Sequence, residues 1–220
     1  TNVADENLFI PCDAEYKDIA SYVFTSGTTG VPKIVMLTHE NIITTPVINS
    51  EYILNSDDHF LSILPLFHVY AVMADFFGPY VSGATIVFLR SLKGPDIIGT
   101  LAKDQFTVFP AAPQLWELFF DAILSNVRKK SLIAYIIFKF FLTYHRVFRA
   151  VGLGFLPDKL FAPVRKIFGP KMRFFISGGA PLKKRYYEYY TAIGIPVVEG
   201  YGLTETSGPV TLSNGRHDLG

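Results

Sequence analysis

A single cysteine, Cys12, stands in 220 residues, so no intrachain disulfide can form and the small scaffolds held together by such bonds are excluded. One thiol suits a reducing compartment, and a cytoplasmic location is expected. No run reaches 18 uncharged apolar residues, which removes a bilayer-spanning helix by the usual criterion. Charge is sparse and balanced, with 20 Lys and Arg against 19 Asp and Glu for a net +1. A disordered chain is apolar-poor and strongly charged; here half the residues are hydrophobic and 15% are aromatic. Gly (17) and Pro (14) are too few for a fibrous chain. An initiator Met, a signal peptide and a basic transit sequence are all missing at Thr1, and Gly220 follows closely on a motif-rich stretch. The chain is therefore expected to be a fragment of a longer one. At this length it can bury a large core, in one or two domains.

The balanced net charge conceals segregation. Residues 1–121 carry 14 acids and 5 bases, and residues 188–220 carry 4 acids and one base. Residues 122–187 carry 14 bases and one acid, Asp158, together with Phe138, Phe140, Phe141, Phe148, Phe155, Phe161 and Phe168. Such segregation points to an anionic partner: phosphate, lipid headgroup or nucleic acid.

Apolar runs at 22–24, 60–64, 84–89, 107–109, 173–176 and 195–198, each bounded by turn residues, read as strands. Helix-compatible patterns lie between them at 39–50, 69–81, 96–104 and 181–193. This alternation predicts an α/β fold with mostly parallel sheets and packed helices. Pro113 is placed to open a helix, with Trp116, Phe119, Phe120, Ile123 and Val127 on one face. After Arg128-Lys129-Lys130, residues 132–150 form an apolar helix with one polar stripe, Lys139, Thr143, Arg146 and Arg149. Either this pair of helices packs on its own domain, or it lies on a membrane surface with the bases toward anionic headgroups and Phe138, Phe141 and Phe148 beneath.

Tyr22-Val23-Phe24 runs into Thr25-Ser26-Gly27-Thr28-Thr29-Gly30-Val31-Pro32-Lys33. Glycines let successive N–H groups turn toward one anion, hydroxyls add donors, and the lysine adds charge, which is phosphate chemistry. A polar surface turn explains Gly-Thr-Thr-Gly alone but not Thr25, Ser26 and Lys33 beside it. The loop is not a Walker A motif, because its glycine spacing differs and Ile34 follows the lysine where Ser or Thr is needed.

This string resembles the phosphate-binding motif of adenylate-forming enzymes, the superfamily of acyl-CoA synthetases, luciferases and nonribosomal peptide adenylation domains. Three further segments match in order. Leu64-Pro65-Leu66-Phe67-His68-Val69 resembles the motif beside the acyl pocket, and Ile176-Ser177-Gly178-Gly179-Ala180-Pro181-Leu182 the turn that borders adenine. Glu199-Gly200-Tyr201-Gly202-Leu203-Thr204-Glu205-Thr206 resembles the adenine-stacking and metal motif. Met36-Leu37-Thr38-His39 and the long helical segment before Ser177 make the chain most similar to long-chain fatty acyl-CoA synthetases.

The resemblance implies ATP-dependent activation of a fatty acid to an acyl-adenylate, then transfer to the thiol of coenzyme A. Acyl carrier protein as acceptor, another acid, and a non-catalytic nucleotide- or lipid-binding module are the alternatives. It gives Lys33, Thr204, Glu205 and His68 catalytic roles. The nucleotide falls to Thr25, Ser26, Gly27, Thr28, Thr29, Gly30, Lys33, Gly178, Gly179, Ala180, Pro181, Gly200, Tyr201, Gly202 and Thr204. Mg²⁺ falls to Thr25 and Glu205, and the acyl pocket to Phe67, His68 and Val72. Taken alone, His68 also reads as a core histidine bonded to a carbonyl, and Thr204-Glu205-Thr206 as a helix start. Val72 stands where some long-chain members place an aromatic gate, and Ile34 where the family has glycine. The implied partners are fatty acid, ATP and coenzyme A or acyl carrier protein, with peripheral contact to an anionic membrane and no nucleic acid. The chain is expected to hold part of the large N-terminal domain, with the ribose-binding acid and a lysine-bearing C-terminal lid domain beyond it.

Overall fold

A computed structural model describes residues 12–25, 32–103 and 105–213. Two sheets organise it. Strands β1 (Ile19–Thr25) and β2 (Lys33–Thr38) pair antiparallel, with Thr25 opposite Lys33. Ser26, Gly27, Thr28, Thr29 and Gly30 lie between them, outside the described residues. Helix α1 (His39–Ile53) starts directly after β2. The Thr38 hydroxyl accepts the Asn41 N–H, and the Asn41 side chain accepts the Thr38 N–H, so the helix start is satisfied from both directions.

The second sheet has six strands: β3 (His59–Ser62), β4 (Thr85–Phe88), β5 (Val108–Ala111), β6 (Phe174–Gly178), β7 (Val197–Leu203) and β8 (Gly208–Leu212). Their order is β4-β3-β5-β6-β7-β8, parallel except for the β7–β8 pair. The predicted mostly parallel α/β fold is therefore present. The helices after α1 are α2 (Val69–Ala71), which runs through a π-helical turn over Val72–Phe77 into α3 (Gly78–Val81), then α4 (Gly94–Lys103), α5 (Pro113–Lys130), α6 (Leu132–Ala150), α7 (Phe155–Arg165) and α8 (Lys184–Ile193). Pro113 opens α5 as expected. The sequence reading omits β2, β8 and α7.

Strand alternation divides the core into two layers. Phe109, Phe175 and Val197 face Trp116, Phe120, Phe168 and Tyr190 of the helices, and Trp116 stacks on Phe175 at 4.3 Å. Their neighbours Val108, Phe174, Ile176 and Val198 face the other way, toward Ile53 at the end of α1, Leu54 just after it, and Tyr70. At the amino ends of the strands, Asp58 is fully buried. Its carboxylate accepts from the Thr107 hydroxyl at 2.6 Å, the Asn55 N–H at 2.9 Å and the Arg173 guanidinium at 2.5 Å. A buried carboxylate without such partners costs several kcal/mol, roughly 3–5 for a broken pair, so this cluster locks β3, β5 and β6 together at that end.

The carboxyl end opens instead. β3 pairs with β5 only at Phe60–Val108, so that ladder has ended before Pro110, which has no N–H to give. The gap between β3 and β5 is where the site begins.

Helix α5 buries Trp116, Phe119, Phe120 and Ile123 as its periodicity predicts. The bases of the α6 stripe reach partners on neighbouring elements while remaining largely exposed, and Thr143 is exposed. Lys139 donates to the Tyr189 hydroxyl at 3.1 Å, Arg146 pairs with Glu188 at 4.0 Å, and Arg149 with Asp158 at 3.1 Å. Phe138 is buried against Phe161. The outward face of α6 is apolar, formed by Ile133, Ile136, Ile137, Phe140, Tyr144 and Val147, all exposed. Of the two arrangements left open by the sequence, these contacts belong to packing on the chain's own domain, and their partners on α7 and α8 are ones that sequence spacing alone cannot show.

Candidate active site

Parallel strands end together, and their following loops converge at the carboxyl edge of the sheet. Here β6 delivers Gly178, Gly179 and Ala180, β7 delivers Gly200, Gly202 and Leu203, and the β1–β2 pair brings Thr25 and Lys33 over the top. With Leu64, Pro65 and His68 from the loop after β3, and Thr204 and Glu205 from the turn after β7, they line one cleft of about 880 Å³. Residues 180 positions apart in sequence thereby share a wall.

A second cavity of about 620 Å³ lies against the first, lined by Tyr22, Phe24, Leu37, Leu66, Phe67, Val69 and Val72. His68, Val69, Met73 and Thr204 line both. The two spaces meet along these four side chains; Lys33, Glu205 and Thr25 bring charge and hydroxyls to the first and Phe24, Phe67 and Val72 bring apolar surface to the second, a layout suited to a ligand with an anionic head and an apolar body.

Most of the expected residues gather in this way. Phe67, His68 and Val72 are at the apolar cavity, and Thr25, Lys33, Gly178, Gly179, Ala180, Gly200, Gly202, Thr204 and Glu205 at the cleft. Pro181 and Tyr201 line neither, and the Tyr201 ring is 66% exposed. Ser26 through Gly30 are outside the described residues.

The turn that presents Thr204 and Glu205 is tightly specified. Ser207 adopts φ 55° and Gly208 φ 123°, and a Cβ on Gly202 would stand 2.0 Å from the Gly208 carbonyl oxygen. The Thr206 hydroxyl donates to the Leu203 and Gly208 carbonyls and accepts the Leu203 N–H at 2.9 Å. Glu199 ties this strand to the preceding turn, its carboxylate accepting the Leu182 N–H at 2.9 Å.

Two residues that sequence reasoning did not single out shape the floor. Tyr70 lies across the open ends of β5 and β6, its hydroxyl 3.3 Å from the Ala111 carbonyl and 3.2 Å from that of Ile176. Burial, and then the charge of Asp75, hold its phenol well above the usual tyrosine range. A Cβ on Gly178 would meet the Tyr70 ring at 2.6 Å. The sequence reading assigns Gly178 to close ligand approach; in the structure, Tyr70 occupies the space beside it. Asp75, in the π-helical turn, is fully buried, and burial pushes its carboxyl up to about 7 against three hydrogen bonds that lower it. Tyr70 sits two positions after His68 in sequence, which was the available signal; Asp75 offered none beyond an acid in an apolar run.

No group of three or more His, Cys, Asp or Glu that could hold a metal exists among the described residues. Glu205 and Thr25 share the cleft as one carboxylate and one hydroxyl. That set is too small to cage an ion but fits Mg²⁺ carried largely by phosphate oxygens.

The pattern of the AMP-binding enzyme family matches residues 3–219. The chain belongs to that family. Among relatives, it is 33% identical over 210 residues to the human long-chain-fatty-acid–CoA ligase ACSBG2, an alignment spanning 89% of this chain and 31% of that protein. It is 34% identical over 202 residues to the peroxisomal long chain acyl-CoA synthetase 7 of Arabidopsis thaliana, covering 87% of this chain and 28% of that one. The chain thus spans about a third of the length of these curated relatives. The fold is shared with the ATP-bound MatB of Rhodopseudomonas palustris, with a TM-score of 0.66 at 24% identity over 96% of this chain and 34% of that one. It is shared as well with the N-terminal domain of FACL13 from Mycobacterium tuberculosis, with a TM-score of 0.65 at 24% identity over 96% and 42%. Among the described residues no helix is long and apolar enough to cross a membrane.

Proposed function

We propose that this chain carries much of the active site of a long-chain fatty acid–coenzyme A ligase. The observation that carries the reading is the junction of two cavities along His68, Val69, Met73 and Thr204, with Thr25, Lys33 and Glu205 in the first and Phe24, Phe67 and Val72 in the second. The names of the relatives support the same substrate class.

The first step joins a fatty carboxylate to the α-phosphorus of ATP. A carboxylate oxygen forms the new bond, the α–β bridging P–O bond breaks, and pyrophosphate leaves. A carboxyl with a pKa of about 4–5 is already ionised at neutral pH, so no general base is needed. The obstacle is an anion approaching a polyanion. Lys33 supplies charge, Thr25 and Thr204 supply hydroxyls, and the backbone of Gly178, Gly179 and Ala180 borders the nucleotide. Glu205 and Thr25 are the residues that would hold Mg²⁺, which would supply positive charge to the phosphates. Tyr201 stacks on the adenine in this reading, and the phosphate contacts expected of Ser26 through Gly30 lie outside the described residues. In the second step a thiol sulfur, from coenzyme A or an acyl carrier protein, attacks the acyl carbonyl and AMP departs.

Peripheral contact with an anionic membrane forms part of the proposal, with the orientation that the structure supports. The exposed apolar face of α6 meets the lipid, and Arg128, Lys129 and Lys130, exposed at the end of α5, meet headgroups. The experiment for the catalytic reading is pyrophosphate release by the whole protein across a panel of acids, with coenzyme A and acyl carrier protein as alternative acceptors. Release with long-chain acids and coenzyme A supports it. Release with aromatic acids only would move the reading to another acid-activating enzyme.

A further inference from the structure

The loop from Ile63 to His68 carries three residues of the cleft, Leu64, Pro65 and His68, yet it holds itself by little. Within it the His68 N–H donates to the Pro65 carbonyl at 3.2 Å, and the His68 imidazole has no hydrogen-bond partner among the described residues. What fixes the loop is a side chain from the next element. One oxygen of Asp75, Oδ2, accepts from the Ser62 hydroxyl at 3.0 Å, the Ile63 N–H at 3.2 Å and the Leu64 N–H at 3.1 Å. Ser62 is the last residue of β3, so this single oxygen grips the chain where it leaves the sheet.

The grip depends on the π-helical turn. That turn closes with the Gly78 N–H on the Met73 carbonyl, one residue wider than an α-helix, and a Cβ on Gly78 would stand 2.9 Å from the same oxygen. Widened turns of this kind recur at functional sites because they re-aim one side chain.

We infer that Asp75 is a positioning residue for acid activation: its carboxylate fixes the loop after β3 and so sets where Leu64, Pro65 and His68 stand at the junction of cleft and apolar cavity. The inference rests on the acid-activating reading above. A purely structural buried carboxylate would be fully partnered, but Oδ1 is buried without a hydrogen bond. Oδ1 therefore offers a place for a proton that leaves all three contacts of Oδ2 intact while weakening them. Burial raises the carboxyl to about 7, so this exchange falls near neutral pH. The Tyr70 phenol is coupled to it. The other titratable side chains on the packed elements, His39, Glu40, Glu51 and Tyr52 on α1, His59 on β3 and Tyr80 on α3, are exposed, as is His68 on the held loop itself.

The test compares Asp75→Ala with Asp75→Asn in the whole protein. Asparagine keeps an acceptor oxygen for the three donors and loses the charge; alanine loses both. Asp75→Ala is expected to raise KM for palmitate about tenfold, the equivalent of one charged hydrogen bond, with KM for ATP within about twofold. Asp75→Asn is expected to restore most of the palmitate KM. In the parent, palmitate KM falls as pH rises through about 7, because the ionised carboxylate grips harder; in Asp75→Asn that inflection is gone. Amide hydrogen exchange of residues 62–68, measured without substrates, is faster in Asp75→Ala and near parental in Asp75→Asn. Unchanged exchange in the alanine variant overturns the inference, as does an equal rise of both KM values or an asparagine variant as impaired as alanine. A parent that activates no acid removes the functional reading, while the exchange comparison still decides whether Asp75 holds the loop.

Discussion

Gly178 separates two accounts of the cleft floor. It ends β6 opposite Gly200, and its φ lies outside the left-handed region, so an alanine fits the backbone there without strain. Only space forbids the methyl group. The added Cβ would lie 2.6, 2.9 and 2.9 Å from Cε2, Cδ2 and Cζ of the Tyr70 ring. The ring cannot swing away freely, because its hydroxyl is held by the carbonyls of Ala111 and Ile176. Forcing a methyl group into such packing costs about 1–3 kcal/mol, and displacing the hydroxyl costs about 1 more. Gly178→Ala should therefore destabilise by roughly 2–4 kcal/mol, a fall in Tm of about 5–15 °C for a chain of this size. The assay is thermal unfolding of Gly178→Ala, Tyr70→Leu and the double variant. Leucine vacates the ring position, so the double variant should be more stable than the summed penalties by more than about 1 kcal/mol. Additive penalties, or an unchanged Tm for Gly178→Ala accompanied by weaker nucleotide binding, would return Gly178 to the role of admitting a ligand.

Lys33→Ala should raise KM for ATP about tenfold or more and leave fatty-acid binding unchanged, because a charged hydrogen bond to phosphate is lost and nothing on the acyl side; equal effects on both would remove Lys33 from the phosphates. Glu205→Gln preserves size and hydrogen bonding but not charge, so a titration of activity against Mg²⁺ should shift to higher concentration, and an identical curve would dismiss the metal assignment. Ile136→Asp with Phe140→Asp should release the protein from anionic vesicles in a flotation assay. Reversing Arg128, Lys129 and Lys130 to Glu should weaken binding to those vesicles by at least about 3 kcal/mol, at about 1 per base, and abolish its salt dependence; binding indifferent to lipid charge and to both sets of changes would leave α6 without a membrane role.

The fold was legible where local pattern and burial agree. Apolar runs located β3 to β7, and Pro113 with its 3–4 spacing located α5, because those segments bury one consistent face. β2 was hidden within a string read for its chemistry, and β8 is short, with alternation blurred by Gly208 and Pro209. The cleft residues were legible because glycine, hydroxyl and lysine cluster in sequence at loops that the parallel sheet gathers in space. What pairs across the fold was not legible. Lys139 with Tyr189 and Arg146 with Glu188 tie α6 to α8, and both partners sit more than 40 residues away. Tyr70 and Asp75 act through carbonyls and N–H groups of distant strand ends, which no spacing rule reaches.

The central claim is that the junction at His68 and Thr204 activates a fatty acid as its adenylate. The most direct measurement incubates the whole protein with ATP, Mg²⁺ and palmitate, leaves out any thiol, and identifies the products by mass spectrometry. The account predicts palmitoyl-adenylate and pyrophosphate in equal amounts, with the adenylate consumed and AMP released when coenzyme A is added. ADP and phosphate as products, or bound ATP and palmitate recovered unchanged, would contradict it.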